Sequence, residues 1–245
     1  MVIFTRKITI PVGKTIMADK NYKPLWYAVL SSYSKPCEQE SSFVREVDKE
    51  RAHKILSYHF NLQPQKRQSV LDMFIQNEIL IDKEDKYIFP AHFSQTFVTC
   101  DPITLNWFYE EYKNKNMLFK MYLLLKHRYA WNKKTFSNTL YNFSISGGER
   151  SLLAQMGYSS KNNNNRTFAA ECLNVLIQEN LVECTKPQSM YELGVPIGTY
   201  RKLLRVYDKQ PLEEKVWIHV PSSVVEEKGL QKYVVELDTG ENYER

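Results

Sequence analysis

Apolar residues along this chain twice run at helical spacing and then switch to alternation across a short polar turn. The first instance is Leu71-Asp72-Met73-Phe74-Ile75-Gln76-Asn77-Glu78-Ile79-Leu80-Ile81. The second is Leu173-Asn174-Val175-Leu176-Ile177-Gln178-Glu179-Asn180-Leu181-Val182-Glu183. Each predicts a helix that runs straight into a strand. The copies lie about a hundred residues apart, whereas solenoid repeats span roughly 20 to 50. Two small domains suit that period.

Around the first copy, Lys7 to Val12 alternates apolar and polar residues and reads as a short strand. A helix follows Pro24 and buries Leu25, Trp26, Ala28, Val29, Leu30 and Tyr33. Ser41 to Val47 reads as a small strand, and Asp48 as the cap of a second helix with Ile55, Leu56 and Phe60 inward. Proline loses nothing at a helix's first position, so Gln63-Pro64 starts a third helix with Val70, Leu71, Phe74 and Ile75 as its stripe. Ile79 to Asp82 and Tyr87 to Pro90 then predict a hairpin around Lys83-Glu84-Asp85-Lys86.

The second copy predicts the same series. A helix spans Leu118 to Tyr129, a strand Asn142 to Ser144, and Ser146-Gly147-Gly148 caps a helix from Glu149 to Met156 that Gly157 ends. The asparagine run before Arg166 lengthens the turn, and a helix through Phe168, Ala169, Cys172, Val175 and Leu176 follows. Lys186 to Gly198 makes a longer hairpin tip, returning as a strand from Thr199 to Val206. Val216 to Val220 reads as one more strand before a polar, acidic end. The expected fold is α+β and mainly helical, divided into residues 1–101, 102–207 and an extension 208–245.

A hydrophobic share of 43% fits an ordinary globular protein. The apolar run around Met117 to Leu125 is broken by Lys120 and closed by Lys126, His127 and Arg128, so no membrane span is expected. No secretory leader is expected either, because Arg6 and Lys7 precede only a short mixed segment. Cys37, Cys100, Cys172 and Cys184 lack metal-binding spacing, which predicts reduced structural thiols and a cytoplasmic location. From Asp208 onward nine acidic and five basic residues give −4, against +5 for the whole chain, so residues 1–207 carry +9. A basic body points to a polyanionic partner.

The long polar side chains gather where such a partner would be read. Gln65, Lys66 and Arg67 open the third helix of the first copy, and Ser160, Lys161, Asn162, Asn163, Asn164, Asn165 and Arg166 precede its counterpart. In a helix-turn-helix the start of the second helix reaches base edges, and its positive dipole end faces phosphate. Asparagine and glutamine match adenine; lysine and arginine match guanine or phosphate. Lys133 and Lys134 extend a basic collar, and Lys186 and Arg201 flank the second hairpin. Glu84 and Asp85 make the first hairpin a poor phosphate binder and suit protein contacts or a homodimer. The plain alternatives are a solvated first turn at Gln65 to Gln68 and a flexible asparagine loop.

Signals of catalysis do not assemble. Gly13-Lys14-Thr15 lacks the glycine a phosphate loop needs five places earlier, where Ile8 stands. Ser146-Gly147-Gly148-Glu149 has no Walker loop beside it, and His53, His59, His92, His127 and His219 are scattered. A non-enzyme without metal or cofactor is expected.

The strand and helix Ile8-Thr9-Ile10-Pro11 through Leu25-Trp26-Tyr27-Ala28-Val29-Leu30, with Leu152-Leu153-Ala154-Gln155-Met156-Gly157-Tyr158-Ser159 ahead of the second copy, resemble plasmid and phage replication initiators with tandem winged-helix domains. The same patterns are similar to DnaD-like primosomal proteins. The resemblance implies binding of double-stranded DNA at a replication origin and recruitment of the host helicase or its loader. Transferred by position, the recognition helices are Pro64 to Gln76 and Arg166 to Gln178. A transcriptional regulator of a mobile element and a protein-interaction adaptor that binds no DNA are the alternatives.

Overall fold

The computed structural model describes residues 3–37, 44–90, 96–135, 140–141, 151–185, 202–206, 208–209, 234–236 and 242–244. It is α+β and mostly helical, with small antiparallel sheets. The chain opens with β1 (Ile8–Pro11) and a five-residue α1 (Lys14–Ala18), the latter unforeseen from the sequence. Then come α2 (Pro24–Ser32), β2 (Lys35–Pro36), β3 (Arg45–Asp48), α3 (Lys49–Phe60), α4 (Pro64–Gln76), β4 (Ile81–Lys83) and β5 (Lys86–Phe89). Two further elements unforeseen from the pattern follow, β6 (Phe97–Cys100) and α5 (Pro102–Tyr112). The second series is α6 (Asn116–Thr135), β7 (Leu140–Tyr141), α7 (Leu152–Gln155), α8 (Asn163–Gln178), β8 (Val182–Thr185) and β9 (Lys202–Val206).

The two series match in connectivity. Strand order is β2-β3-β5-β4 in the first sheet and β7-β9-β8 in the second; apart from the extra edge strand β2, each run closes with its last strand, β5 or β9, between the strand ahead of the helix pair and the strand that follows it. The turn after α4 recurs after α8 at an offset of 102 residues. Ile79 N donates to Phe74 O at 3.1 Å, as Leu181 N does to Leu176 O at 2.9 Å. Glu78 N donates to Ile75 O and Asn180 N to Ile177 O, and both residues sit in the left-handed region at φ 56°. This cap satisfies the last carbonyls of the helix and aims the buried Ile79 and Leu181 at the core. Glu78 is the more strained, because a side chain in that region costs about 1–2 kcal/mol. Glu78→Gly is therefore expected to raise unfolding stability by about 1 kcal/mol in urea titration, glycine's chain entropy taking back part of the relief. A loss would refute the account of the turn.

Several expected boundaries shift. α6 runs on to Thr135, past Tyr129. α7 is one turn long and is capped by Ser151, whose hydroxyl accepts from Ala154 N at 3.3 Å, so the expected start at Glu149 under Ser146-Gly147-Gly148 does not hold. Residues 146–150, like the expected strand at Asn142 to Ser144, lie outside the described residues. Gly157 ends α7 as expected, at φ 79°. Asp48 precedes α3 without a side-chain capping bond.

One hydrophobic core runs through both series, from Ile3 to Val182. β1 pairs with β6 in the register Ile8↔Cys100. Asn106 on α5 accepts from Ile3 N and Phe4 N and donates to Phe4 O, all near 2.9–3.0 Å, which pins the amino terminus. The fully buried Lys120 of α6 donates to Met17 O and Asp19 O, both at 2.7 Å, and to Met156 O at 3.4 Å. Lys120 thus joins the end of α1 to the end of α7.

The first compact unit is Met1–Asp208, and the second is Lys209–Arg245. Within the second, β10 (Val234–Glu236) pairs antiparallel with β11 (Asn242–Glu244). The strand expected at Val216 to Val220 lies outside the described residues. Among those described, no helix is long and apolar enough to cross a membrane.

Candidate nucleic-acid interface

α4 begins at Pro64, where the missing N–H is one the first turn would leave unbonded. Gln65 and Lys66 are exposed on that turn. Arg67 is not: half-buried, it donates from Nη1 to Leu62 O at 3.0 Å and braces the turn between α3 and α4. Its Nε is buried without a hydrogen-bond partner. Two of the three predicted readers in this repeat therefore face solvent, and the third is a strut.

α8 begins three residues before the expected Arg166, because the asparagine run is helical. Asn162 is the cap, its Oδ1 accepting from Asn164 N at 2.9 Å and Asn165 N at 3.4 Å. Asn165 Nδ2 donates back to Ser159 O at 3.1 Å, and Arg166 donates to Asn163 Oδ1. Ser160 is half-buried beside this cap. Asn162 and Asn165 thus build the helix start, leaving Lys161, Asn163, Asn164, Arg166 and Thr167 exposed around it. Phe168 adds an outward aromatic ring, 37% exposed. Seven residues separate α7 from α8, against three between α3 and α4, so the longer turn expected here is present, although of the four asparagines only Asn162 belongs to it.

Lysines on and beside the first hairpin are paired with carboxylates. Lys49 pairs with Asp82 at 2.5 Å, and the buried Glu46 takes Lys86 at 3.1 Å and Lys35 at 3.5 Å. The hydrogen bond from Lys86 holds the Glu46 carboxyl below its ordinary value. Glu84 and Asp85 are exposed at the tip. Lys186 and Arg201 of the second hairpin lie outside the described residues, as do the side chains of Lys133 and Lys134 on α6.

Among the described residues no three histidine, cysteine or acidic side chains gather as a metal site. His59 is buried between two phenols, Nδ1 2.9 Å from the Tyr109 hydroxyl and Nε2 2.9 Å from that of Tyr33, and burial lowers its pKa. It is a neutral core histidine. Burial pushes the Cys100 and Cys172 thiols up to about 12, which leaves them unreactive. Family models, curated proteins and solved structures give no match to the chain.

Proposed function

We propose that the chain is a sequence-specific, double-stranded-DNA-binding protein of the replication-initiator kind, built from two winged-helix repeats. The observation that carries this reading is the duplicated order of helix, strand, helix, helix and paired strands, β2 being extra in the first series, with the last strand, β5 or β9, between the other two both times. In such a repeat the helix before the hairpin enters the major groove. Both helices in that position, α4 and α8, present exposed polar first turns. α8 is the principal reader, since Lys161, Asn163, Asn164 and Arg166 surround its start while the first hairpin is acidic at its tip. That acidic hairpin suits a protein partner, the host helicase or its loader, or a second copy of the chain. Origin recognition followed by helicase recruitment is the activity proposed; a regulator of a mobile element would share the DNA contacts and lack the recruitment.

Fluorescence anisotropy against duplexes from the protein's own gene neighbourhood, with random duplex as competitor, tests the binding. Replacing Lys161 and Arg166 together by alanine is expected to weaken specific binding by at least roughly thirtyfold, each contact contributing about 1–3 kcal/mol. Gln65→Ala with Lys66→Ala is expected to lose less. Arg67 is left intact in this comparison because its loss would disturb the α3–α4 turn. Equal losses would reject α8 as principal reader, and absent binding would favour the adaptor. Retention of the host helicase on immobilised protein separates initiator from regulator.

A further inference from the structure

Lys23 ends the connection into α2, and Lys113, Asn114 and Lys115 link α5 to α6. With Trp26, Tyr112 and Phe119 these residues line a pocket of about 230 Å³. The pocket lies where the two repeats meet. Its walls come from the start of α2 in the first series and from the end of α5 and the start of α6 ahead of the second.

Its cations differ from other lysines of the fold. Among the described residues no salt bridge engages Lys23, Lys113 or Lys115, whereas Lys35, Lys49, Lys54, Lys86 and Lys126 each hold a carboxylate. Lys113 Nζ sits 5.6 Å from the Tyr109 ring centre and Lys115 Nζ 5.2 Å from that of Tyr112. Tyr112 in the wall and Tyr109 outside it thus support these ammonium groups without neutralising them. No acidic residue lines the pocket. A partly apolar lining lowers the effective dielectric and strengthens attraction for an anion at the mouth.

We propose that this pocket clamps a backbone phosphate of duplex DNA lying across both repeats. The proposal rests on the DNA-binding reading above and adds to it a contact that no recognition helix supplies. A phosphate clamp carries no sequence information but fixes register, and here it would set how α4 and α8 are spaced along the duplex.

The test measures affinity of the full chain against salt concentration for a specific and a random duplex. Wild type is compared with the K113Q/K115Q variant, which alters exposed side chains only, and with K23Q/K113Q/K115Q, circular dichroism confirming that each is folded. Each lost phosphate contact lowers the slope of log K against log salt by about 0.9, so loss of the one clamped phosphate is expected to lower it by about one. Affinity for both duplexes should drop by the same factor, about tenfold, because the lost contacts are blind to sequence. An unchanged slope in variants of a wild type that binds DNA would overturn the clamp and leave the DNA-binding reading standing. A loss confined to single-stranded oligonucleotides would also overturn it, assigning the pocket to unpaired strands. A wild type with no affinity for duplex would instead remove the DNA-binding reading, and the clamp with it.

Discussion

Gly157→Ala is expected to cost about 3–5 kcal/mol of unfolding stability, the range of severe backbone and packing lesions. Two effects add at this position. At φ 79° a side chain is strained whatever surrounds it. A Cβ would also lie 1.9 Å from the Ala18 carbonyl oxygen and 2.8 Å from its carbon, both backbone atoms that no rotamer change can move aside. Ala18 ends α1 in the first series and Gly157 follows α7 in the second, so the substitution forces apart the joint between repeats. Urea unfolding of wild type and variant gives the number. A loss below about 1 kcal/mol would mean that the contact between α1 and the α7 turn is loose.

The sequence foretold Gly157 as a helix stop but not the neighbour that makes it indispensable. Local chemistry is written along the chain; the residue 139 positions earlier that fills the space beside it is not. The same division explains the elements that were legible. α2, α3, α4 and the first hairpin announce themselves through stripes, Pro24 and Pro64, and the Gln-Asn-Glu turn. α5 carries comparable signals, Asp101 capping Thr104 N at 2.9 Å ahead of Pro102, with Leu105 and Phe108 inward. It lies between the two copies and belongs to neither, so the tandem pattern does not mark it. β6 is a strand by virtue of its pairing with β1, a contact about ninety residues away in sequence. For the candidate interface the composition of both helix starts was legible. The division of labour among asparagines was not, since capping by Asn162 and bracing by Asn165 depend on where α8 begins.

Lys120 presents the opposite case, a charged residue that the sequence marks only as a break in an apolar run. Lys120→Met is expected to destabilise the protein by about 2–3 kcal/mol at neutral pH, because Met17 O, Asp19 O and Met156 O lose their shared donor in a buried site. Burial pulls the lysine's pKa down from 10.5 to about 7, the charge of Lys23 adding to the effect and Asp19 opposing it. The unfolded chain then holds this proton up to pH 10.5 while the folded protein releases it above 7. Stability rises with pH wherever the unfolded state binds more protons, so the lysine's contribution grows between those two values and is smallest below pH 7. Buried tyrosines and thiols titrate in the same range with the opposite sign, but wild type and Lys120→Met share them, and the difference between the two proteins cancels them. That difference is expected to widen by about 2 kcal/mol from pH 7.5 to 9.5, at up to about 1.4 kcal/mol per unit. A constant difference would mean that three carbonyl acceptors outweigh desolvation and keep the ammonium protonated. The joint between repeats would then be a fixed ion–dipole clasp, insensitive to pH over the same interval.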